Sequence, residues 1–500
     1  MLTRRNPAAG FIARRILQQG LSTTTLRRRH LASAVSNNSW NINTGSEFTV
    51  SRTTGFLPRH DPLSVLPSYF EKLEELLHEM TISKGDGTYG LLHSGRFGER
   101  IERELPLYDV GFIFDSRILS ALFRDYTFLA SAYLLEPCDI QFRLARNYGL
   151  ARRILPANIA VPLETIAMRL NSSAYLEHSM SFTFYNYRKK EASRALDADN
   201  IEPIRRFSGC DAEHNYIVGH VAAGQHTGSL VSAALDILQS VKANSRSAFD
   251  SALQQYTKSL TAVNEILSKT IQNTGDYASF RTFLHGCDRN QPMFSQGVLY
   301  EGTQELVSPR RRQYLGVAQS SNPIASLNTH LFQLSNLSPR GALPCTNGGV
   351  DSQRPENYQA FMAHISAQSQ SLGVQMYALA SATSAIEYLA ALDQVLVYRH
   401  RQWANLRDSI PPQQHQQHQH QQLDAAFQQG YFEVQTRHLR DVAELVHRTH
   451  ANTDVDVLAP ELRIRAEGIV HRAEMVRRSL NRVIADPAAT AAAVAMGMAA

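Results

Sequence analysis

Residues 374–410, VQMYALASATSAIEYLAALDQVLVYRHRQWANLRDSI, form the longest stretch of helical pattern in this sequence. The stretch contains no glycine or proline, and Pro411 and Pro412 follow it at once, so one helix that ends there is predicted. Similar apolar spacing begins near residue 66 and recurs over residues 117–135, 219–241 and 246–272. Few strand-like runs separate these segments, and no fixed repeat connects them. The pattern therefore predicts an all-α protein.

Length and charge limit the kind of protein that this chain can be. Because 500 residues are too many for one compact core, two packed units with appendages are expected. The net charge of +5 is concentrated at the start, where residues 1–46 hold seven arginines and no acid. The rest carries 43 basic and 45 acidic residues, so it lacks the basic surface of a nucleic-acid-binding protein. No run approaches 18 apolar residues, and no membrane partner is expected.

The arginine-rich start has the composition of a targeting segment. Within residues 1–47, Ile12, Ile16, Leu17 and Leu21 would fall on one face of a helix, and serine and threonine are abundant. A cationic amphipathic helix without acids is typical of a mitochondrial transit peptide. We therefore expect a mitochondrial protein, or a cytoplasmic one if this segment is only a basic tail without a targeting role.

Two more segments are predicted to lie outside the packed units. Residues 411–430 begin with the low-complexity run PPQQHQQHQHQQ and are expected to form a loop, and the alanine-rich residues 483–500 are expected to form a disordered tail. The four cysteines are scattered and form no CxxC pair. Free thiols in a reducing compartment are therefore predicted, rather than disulfides or a zinc site.

His400 is the candidate functional residue of the long helical stretch. It continues an apolar stripe in which Leu389, Leu392, Leu396 and Trp403 recur at three- and four-residue steps. A buried imidazole needs partners for its nitrogens, and a core histidine with satisfied hydrogen bonds is the commoner case. A noncovalent heme is the alternative, because one neutral imidazole can hold the iron while apolar neighbours cover the porphyrin. The residue pattern alone leaves both alternatives open.

Several short strings follow one another in a definite order. They are TTGFLPRHDPLSVLP (53–67), ARRILPANIAVP (151–162), FYNY (184–187), FRTFLHGC (280–287) with GVLYEG (297–302), and AQSS (318–321). Each resembles a signature motif of the indoleamine 2,3-dioxygenase family, which are heme enzymes of tryptophan catabolism. Order and approximate spacing are those of the family from residue 53 to about residue 410. On this resemblance the sequence is identified as a divergent member of that family.

The resemblance implies a fold and a cofactor. The fold would have a small helical domain at residues 48–150 and a large helical heme domain at residues 151–482. The cofactor would be heme b, with His400 in VLVYRHRQW as the ligand of its iron. No protein residue acts as a catalytic base in the family's scheme, because the cofactor supplies the oxidative chemistry.

The resemblance also implies a substrate. It would be L-tryptophan or a related indole, with O2 inserted across the indole 2,3-bond to give N-formylkynurenine, as in the kynurenine pathway. Arg281 matches the family arginine that pairs with the substrate carboxylate, a task suited to the permanently charged guanidinium fork. The other substrate-binding residues expected are Thr183, Tyr216, Tyr277 and Gly316. A monomer that requires a reductant is expected.

The sequence departs from the family motifs at several pocket positions. Asp276 stands where the family has an aromatic residue, Gly219 where it has serine or histidine, and Gly316 where it has serine or threonine. Cys287 replaces a tryptophan, and the carboxy-terminal GTGGT segment is absent. Two alternatives to tryptophan oxidation therefore stay open. One is a heme-binding homologue without that activity, serving as a sensor or heme buffer, and the other is a heme oxygenase acting on another small aromatic.

Overall fold

A computed structural model describes residues 40–271, 277–288, 291–294, 296–303, 311–317, 322–334 and 353–408, together with 468 and 471. Most of the expected targeting segment therefore lies outside the described residues. So do Asp276, the AQSS string, the loop at 411–430 and the tail at 483–500. Targeting, loop and tail stay predictions.

Helices dominate the described residues, and the predicted all-α class is confirmed. In chain order the α-helices are α1 (Glu71–Met80), α2 (Leu91–Ser94), α3 (Phe97–Glu104), α4 (Ser116–Ala145), α5 (Ala157–Arg169), α6 (Asp211–Gly224), α7 (Thr227–Lys242), α8 (Arg246–Thr270), α9 (Ala278–Arg281), α10 (Pro323–Leu331), α11 (Glu356–Leu372), α12 (Val374–Leu379) and α13 (Ala382–Asp408). The short strands are β1 (Ile154–Leu155), β2 (Tyr187–Lys189), β3 (Ile201–Pro203) and β4 (Leu299–Tyr300). Strand β1 pairs in parallel with β4, and β2 pairs antiparallel with β3.

Helix α4 is the longest core helix. Its start is fixed by Asp115, whose carboxylate accepts hydrogen bonds from the backbone amides of Arg117 and Ile118, and it ends at Arg146 in the left-handed conformation. By length and composition α4 would be able to cross a membrane, but 94% of its most apolar window is buried inside the fold. Helix α5, the π-helical turn His178–Phe182 and the 3-10 turn that follows α9 all pack on α4.

One predicted helix is wrong, because residues 219–241 are interrupted between α6 and α7. The Thr227 hydroxyl donates a hydrogen bond to the Gly224 carbonyl oxygen at 2.6 Å, which turns the chain at this point. The TTGFLP string packs into the corner so closely that a Cβ atom on Gly228 would lie 2.2 Å from the carbonyl oxygen of Thr53. Glycine is therefore needed where the string contacts the corner.

The prediction of one helix over residues 374–410 is also wrong. The structure has α12 and α13 instead, separated by residues 380 and 381. The guanidinium of Arg246 lies 3.6 Å from the ring centroid of Tyr377 and donates a hydrogen bond to the Tyr377 carbonyl oxygen. In an uninterrupted helix that carbonyl would accept from the backbone amide of Ser381. Arg246 thus competes with the Ser381 amide for the Tyr377 carbonyl oxygen, which would otherwise accept a hydrogen bond that continues the helix.

Among the described residues, one hydrophobic core runs from Phe48 to Tyr398. Within it, α8 packs against α6, α7 and α13. The helix that carries Tyr216 and the helix that carries His400 are thereby held against the same neighbour. The expected division into domains near residue 150 stays a prediction.

Candidate functional site

The first wall of the candidate site is the π-helical turn His178–Phe182, with Thr183 directly after it. The buried carboxylate of Glu177 holds this turn by accepting from the backbone amides of Ser179 and Met180 at 2.7 and 2.8 Å. The Thr183 hydroxyl oxygen lies 2.8 Å from the carbonyl oxygen of His178 and 3.1 Å from its Nδ1. Isolated π-turns are frequent at functional sites, since they redirect side chains within a helical segment.

Helix α6 forms the second wall. Its first turn is fixed by buried Glu213, whose carboxylate accepts from the backbone amides just before the helix. Tyr216 and His220 lie one turn apart, with ring centroids separated by 4.2 Å, and Nδ1 of His220 is 2.8 Å from the Tyr216 carbonyl oxygen. A Cβ atom on Gly219 would lie 2.3 Å from the Thr270 hydroxyl oxygen. The glycine that departs from the family motif therefore permits close packing of α6 on α8.

Aromatic rings from three segments meet between these walls. The Tyr216 ring centroid lies 5.7 Å from that of Tyr277, 5.9 Å from that of Phe280 and 5.8 Å from that of Phe182. The rings of Phe182 and Phe280 are 6.2 Å apart. We call these four residues the aromatic cluster. The structure therefore brings the predicted residues Thr183, Tyr216 and Tyr277 into one region.

Arg281 follows Phe280 at the end of α9, and only 1% of it is exposed. Burial lowers the pKa of His285 well below its usual value, and the charge of Arg281 lowers it further, so the two side chains are neighbours. A buried guanidinium beside an aromatic cluster can bind a carboxylate on an aromatic ligand, because little water competes for it.

Gly316 is where another chain segment approaches the site. A Cβ atom there would lie 2.2 Å from the carbonyl oxygen of Leu284 and 2.3 Å from the backbone nitrogen of Gly286. The serine or threonine of the family motif would collide with this backbone. At both Gly219 and Gly316, a missing side chain lets backbone segments lie closer together.

His400 lies half-buried on α13, and the three leucines of its stripe are buried. Tyr398, two residues earlier, faces the core. Burial raises the pKa of Tyr216, and Tyr277 and then Tyr398 add to that rise, which places Tyr398 near the aromatic cluster. His400 is thus on the helix that borders the cluster, and its role as iron ligand stays a prediction.

Two residues near Thr183 and Tyr216 were missed by the sequence analysis. No motif in the sequence assigned a functional role to His178 or His220. Their ring centroids lie 5.4 Å apart at an interplanar angle of 77°. Burial lowers the pKa of His178 well below its usual value and that of His220 to about 4. The four-residue spacing between Tyr216 and His220, which puts both on one helical face, was the available signal.

The chain resembles known proteins over a region that includes the site residues. The model of the family described as indoleamine 2,3-dioxygenase matches residues 44–427. The chain belongs to the indoleamine 2,3-dioxygenase family. Human indoleamine 2,3-dioxygenase 2 is similar to it, with 22% identity over 261 residues that make up 52% of this chain and 59% of the human protein. The match therefore spans about three-fifths of the length of that relative.

Proteins of this family are heme-dependent dioxygenases, and the side chains of this site fit a heme. A neutral imidazole is the form that binds heme iron, and aromatic rings can cover a porphyrin face. His400 is the imidazole that the family pattern assigns to the iron. That imidazole is half-buried on α13, the helix that borders the aromatic cluster, so one region offers both the imidazole and the rings.

Proposed function

We propose that this protein is a heme-dependent dioxygenase that inserts O2 across the indole 2,3-bond of L-tryptophan and forms N-formylkynurenine. Family membership supports the reaction class. The convergence of Thr183, Tyr216, Tyr277 and Arg281 around one aromatic cluster supports the substrate, because the cluster offers rings to an indole and a cation to its carboxylate.

Each group of residues would have a separate task. His400 would hold the iron, and heme, when bound, supplies the activation of O2. Arg281 binds the substrate carboxylate with a charge that never titrates in the physiological range. The aromatic cluster orients the indole ring by edge and face contacts and keeps water away from it. Both atoms of O2 enter the product, so the reductant is needed only to keep the iron ferrous.

Heme binding by His400 is tested with the full chain expressed with added heme. We expect a Soret band of stoichiometric heme in the wild type and its loss in His400→Ala, together with loss of N-formylkynurenine formation. His364→Ala is the matched control, because no role in heme binding is expected for His364. This half-buried histidine packs on Trp40 with ring centroids 5.3 Å apart. An unchanged Soret band in His400→Ala would show that another residue holds the iron.

Carboxylate binding by Arg281 is tested by comparing L-tryptophan with tryptamine, which lacks the carboxylate. Arg281→Gln is expected to weaken L-tryptophan binding by about 10- to 100-fold, since a charge-assisted hydrogen bond contributes roughly 1.5–3 kcal/mol. Tryptamine binding should change little and so shows that the variant is folded. Equal losses for the two ligands would remove this role from Arg281.

A further inference from the structure

Two consecutive residues of the π-turn carry buried polar atoms without partners. Nε2 of His178 and the hydroxyl oxygen of Ser179 make no hydrogen bond to any described residue. His178 is 2% exposed and Ser179 is fully buried. Leaving a buried polar group unpaired costs about 1–3 kcal/mol, and here two such groups are adjacent in an irregular turn beside the aromatic cluster. Their neighbour Thr183 is a predicted substrate-binding residue.

The hydrogen bonds around both histidines assign their tautomers. The single Thr183 hydroxyl hydrogen is directed to the His178 carbonyl oxygen, so the hydroxyl oxygen accepts from Nδ1–H of His178. The Tyr216 carbonyl oxygen can only accept, so Nδ1 of His220 also carries the hydrogen. In each neutral ring, Nε2 is then left with a lone pair. This end of the site therefore offers hydrogen-bond acceptors.

We propose that the preferred substrate is an indole amino acid with a hydroxyl group on its benzene ring, and that His178 and Ser179 bind this hydroxyl. The inference rests on the proposed function and specifies the substrate class of the same site. The ring hydroxyl donates to Nε2 of His178 and accepts from the Ser179 hydroxyl, which completes both unpaired groups. Unsubstituted indole has only its N–H to offer, which can pair with one acceptor and leaves the Ser179 hydrogen without a partner.

Arg281 is connected to the π-turn through the aromatic cluster, because the ring centroid of Phe280, directly before Arg281, lies 6.2 Å from that of Phe182. Arg281 supplies a buried positive charge, whereas His178 and His220 are uncharged at neutral pH because burial lowers their pKa values. A carboxylate is therefore bound at the arginine and a neutral donor at the histidines. An amino acid with a hydroxylated aromatic ring carries both groups.

Substrate preference is measured as equilibrium binding to the heme-loaded full chain, by calorimetry and by the change in the Soret band. The ligands are L-tryptophan, its four isomers with a hydroxyl on the benzene ring, and the corresponding methoxy compounds, which accept but do not donate. At least one hydroxy isomer is expected to bind about tenfold more tightly than L-tryptophan, as one good hydrogen bond to an unpaired buried group allows. Its methoxy counterpart should lose that advantage.

Two variants connect the preference to these residues. His178→Leu and Ser179→Ala should each reduce the advantage of the hydroxy isomer while L-tryptophan binding changes little. His364→Leu is the control and should retain the advantage. If no hydroxy isomer binds more tightly than L-tryptophan, the inference is overturned while the dioxygenase proposal stands. A chain that binds heme but no indole at all would overturn the proposed function, and the inference with it.

Discussion

Two clusters of polar side chains, most of them buried, adjoin the segment from His178 to Asn186, and they are built differently. The carboxylate cluster consists of Glu74, Arg124, Asp125 and Arg205. Arg205 pairs with Asp125 at 2.9 Å and with Glu74 at 2.6 Å, and Arg124 pairs with Asp125 at 2.8 Å. The histidine cluster consists of His178, Ser179, Thr183 and His220, and it includes the two unpaired atoms in the π-turn.

Electrostatics separate the clusters further. Burial raises the pKa of Asp125, but the charges of Arg124 and Arg205 outweigh burial, so the net pKa is lowered and the carboxylate stays ionised. Arg124 also donates to the backbone carbonyl oxygen of Tyr185 at 3.3 Å, which anchors the segment after the π-turn. No such partner compensates the burial of His178. The carboxylate cluster is a fully paired network that stabilises the fold, whereas the histidine cluster contains the groups to which we assign a ligand.

Removal of Asp125 gives the largest expected effect. Asp125→Ala leaves two buried guanidinium groups without their shared carboxylate, so the free energy of unfolding should fall by about 3–5 kcal/mol. Urea denaturation measures this loss. Asp199→Ala is the control, because Asp199 forms an exposed pair with Arg194 at 2.8 Å, and no measurable loss is expected there. A small loss at Asp125 would mean that the carboxylate cluster does not stabilise the fold.

Lowering the pH is expected to weaken the contribution of the histidine cluster to stability and to leave that of the carboxylate cluster intact. The pKa of His220 is lowered from 6.5 to about 4 by burial, so the unfolded chain takes up a proton here before the folded one. The stability that His220 contributes is complete above its unfolded pKa and is lost as pH falls towards 4. That loss amounts to about 2 kcal/mol by pH 5 and about 3 kcal/mol by pH 4. The lowered pKa of Asp125 keeps its pairs intact over the same range.

His220→Phe is the variant that isolates this effect. Its unfolding free energy, measured by urea at pH 7, 6 and 5, should fall less steeply with acid than that of the wild type. His178 titrates in the same direction and remains in both proteins, so the difference between the two curves reports the imidazole of His220 together with its smaller effect on the pKa of His178. Parallel curves would show that the imidazole of His220 has its usual pKa in the folded state.

The helical class could be predicted from the sequence because a helical period is local information. The two interruptions could not, since each depends on residues far apart in the chain. The backbone of Thr53 packs against Gly228 at the turn between α6 and α7, and Arg246 donates a hydrogen bond to the carbonyl oxygen of Tyr377. Both contacts form only after the helices pack. Hydrophobic spacing continues through each break and therefore predicts one helix where there are two.

Part of the site could also be predicted from the sequence. Motif resemblance selected Thr183, Tyr216, Tyr277 and Arg281, and the structure places them around one cluster; their functional roles stay predictions. His178 was missed because an unpaired nitrogen is a property of its surroundings and leaves no pattern in the sequence. The collision that excludes a side chain at Gly316 is equally invisible, as it involves backbone about thirty residues away.

The smallest expected effect compares two fully buried serines, one from each kind of environment. The Ser131 hydroxyl donates to the Phe283 carbonyl oxygen at 2.5 Å, whereas the Ser179 hydroxyl has no partner among the described residues. Both substitutions to alanine remove the same atom, so the cavity contributions are similar. Ser131→Ala should lower the free energy of unfolding by about 1 kcal/mol, and Ser179→Ala should leave it unchanged or raise it by up to about 1 kcal/mol.

Ligand binding should reverse this order. A ring-hydroxylated indole amino acid stabilises the folded wild type in proportion to the logarithm of its concentration over its dissociation constant, and it should stabilise Ser179→Ala less. Melting temperatures of the heme-loaded proteins, with and without ligand, measure how much the ligand stabilises the wild type and the variant. If Ser179→Ala instead destabilises the free protein as much as Ser131→Ala does, Ser179 already has a tightly held partner. In that case the Ser179 hydroxyl forms a hydrogen bond in the free protein, and the histidine cluster is fully paired like the carboxylate cluster. A hydroxyl that is paired only by the ligand cannot stabilise the protein when the ligand is absent.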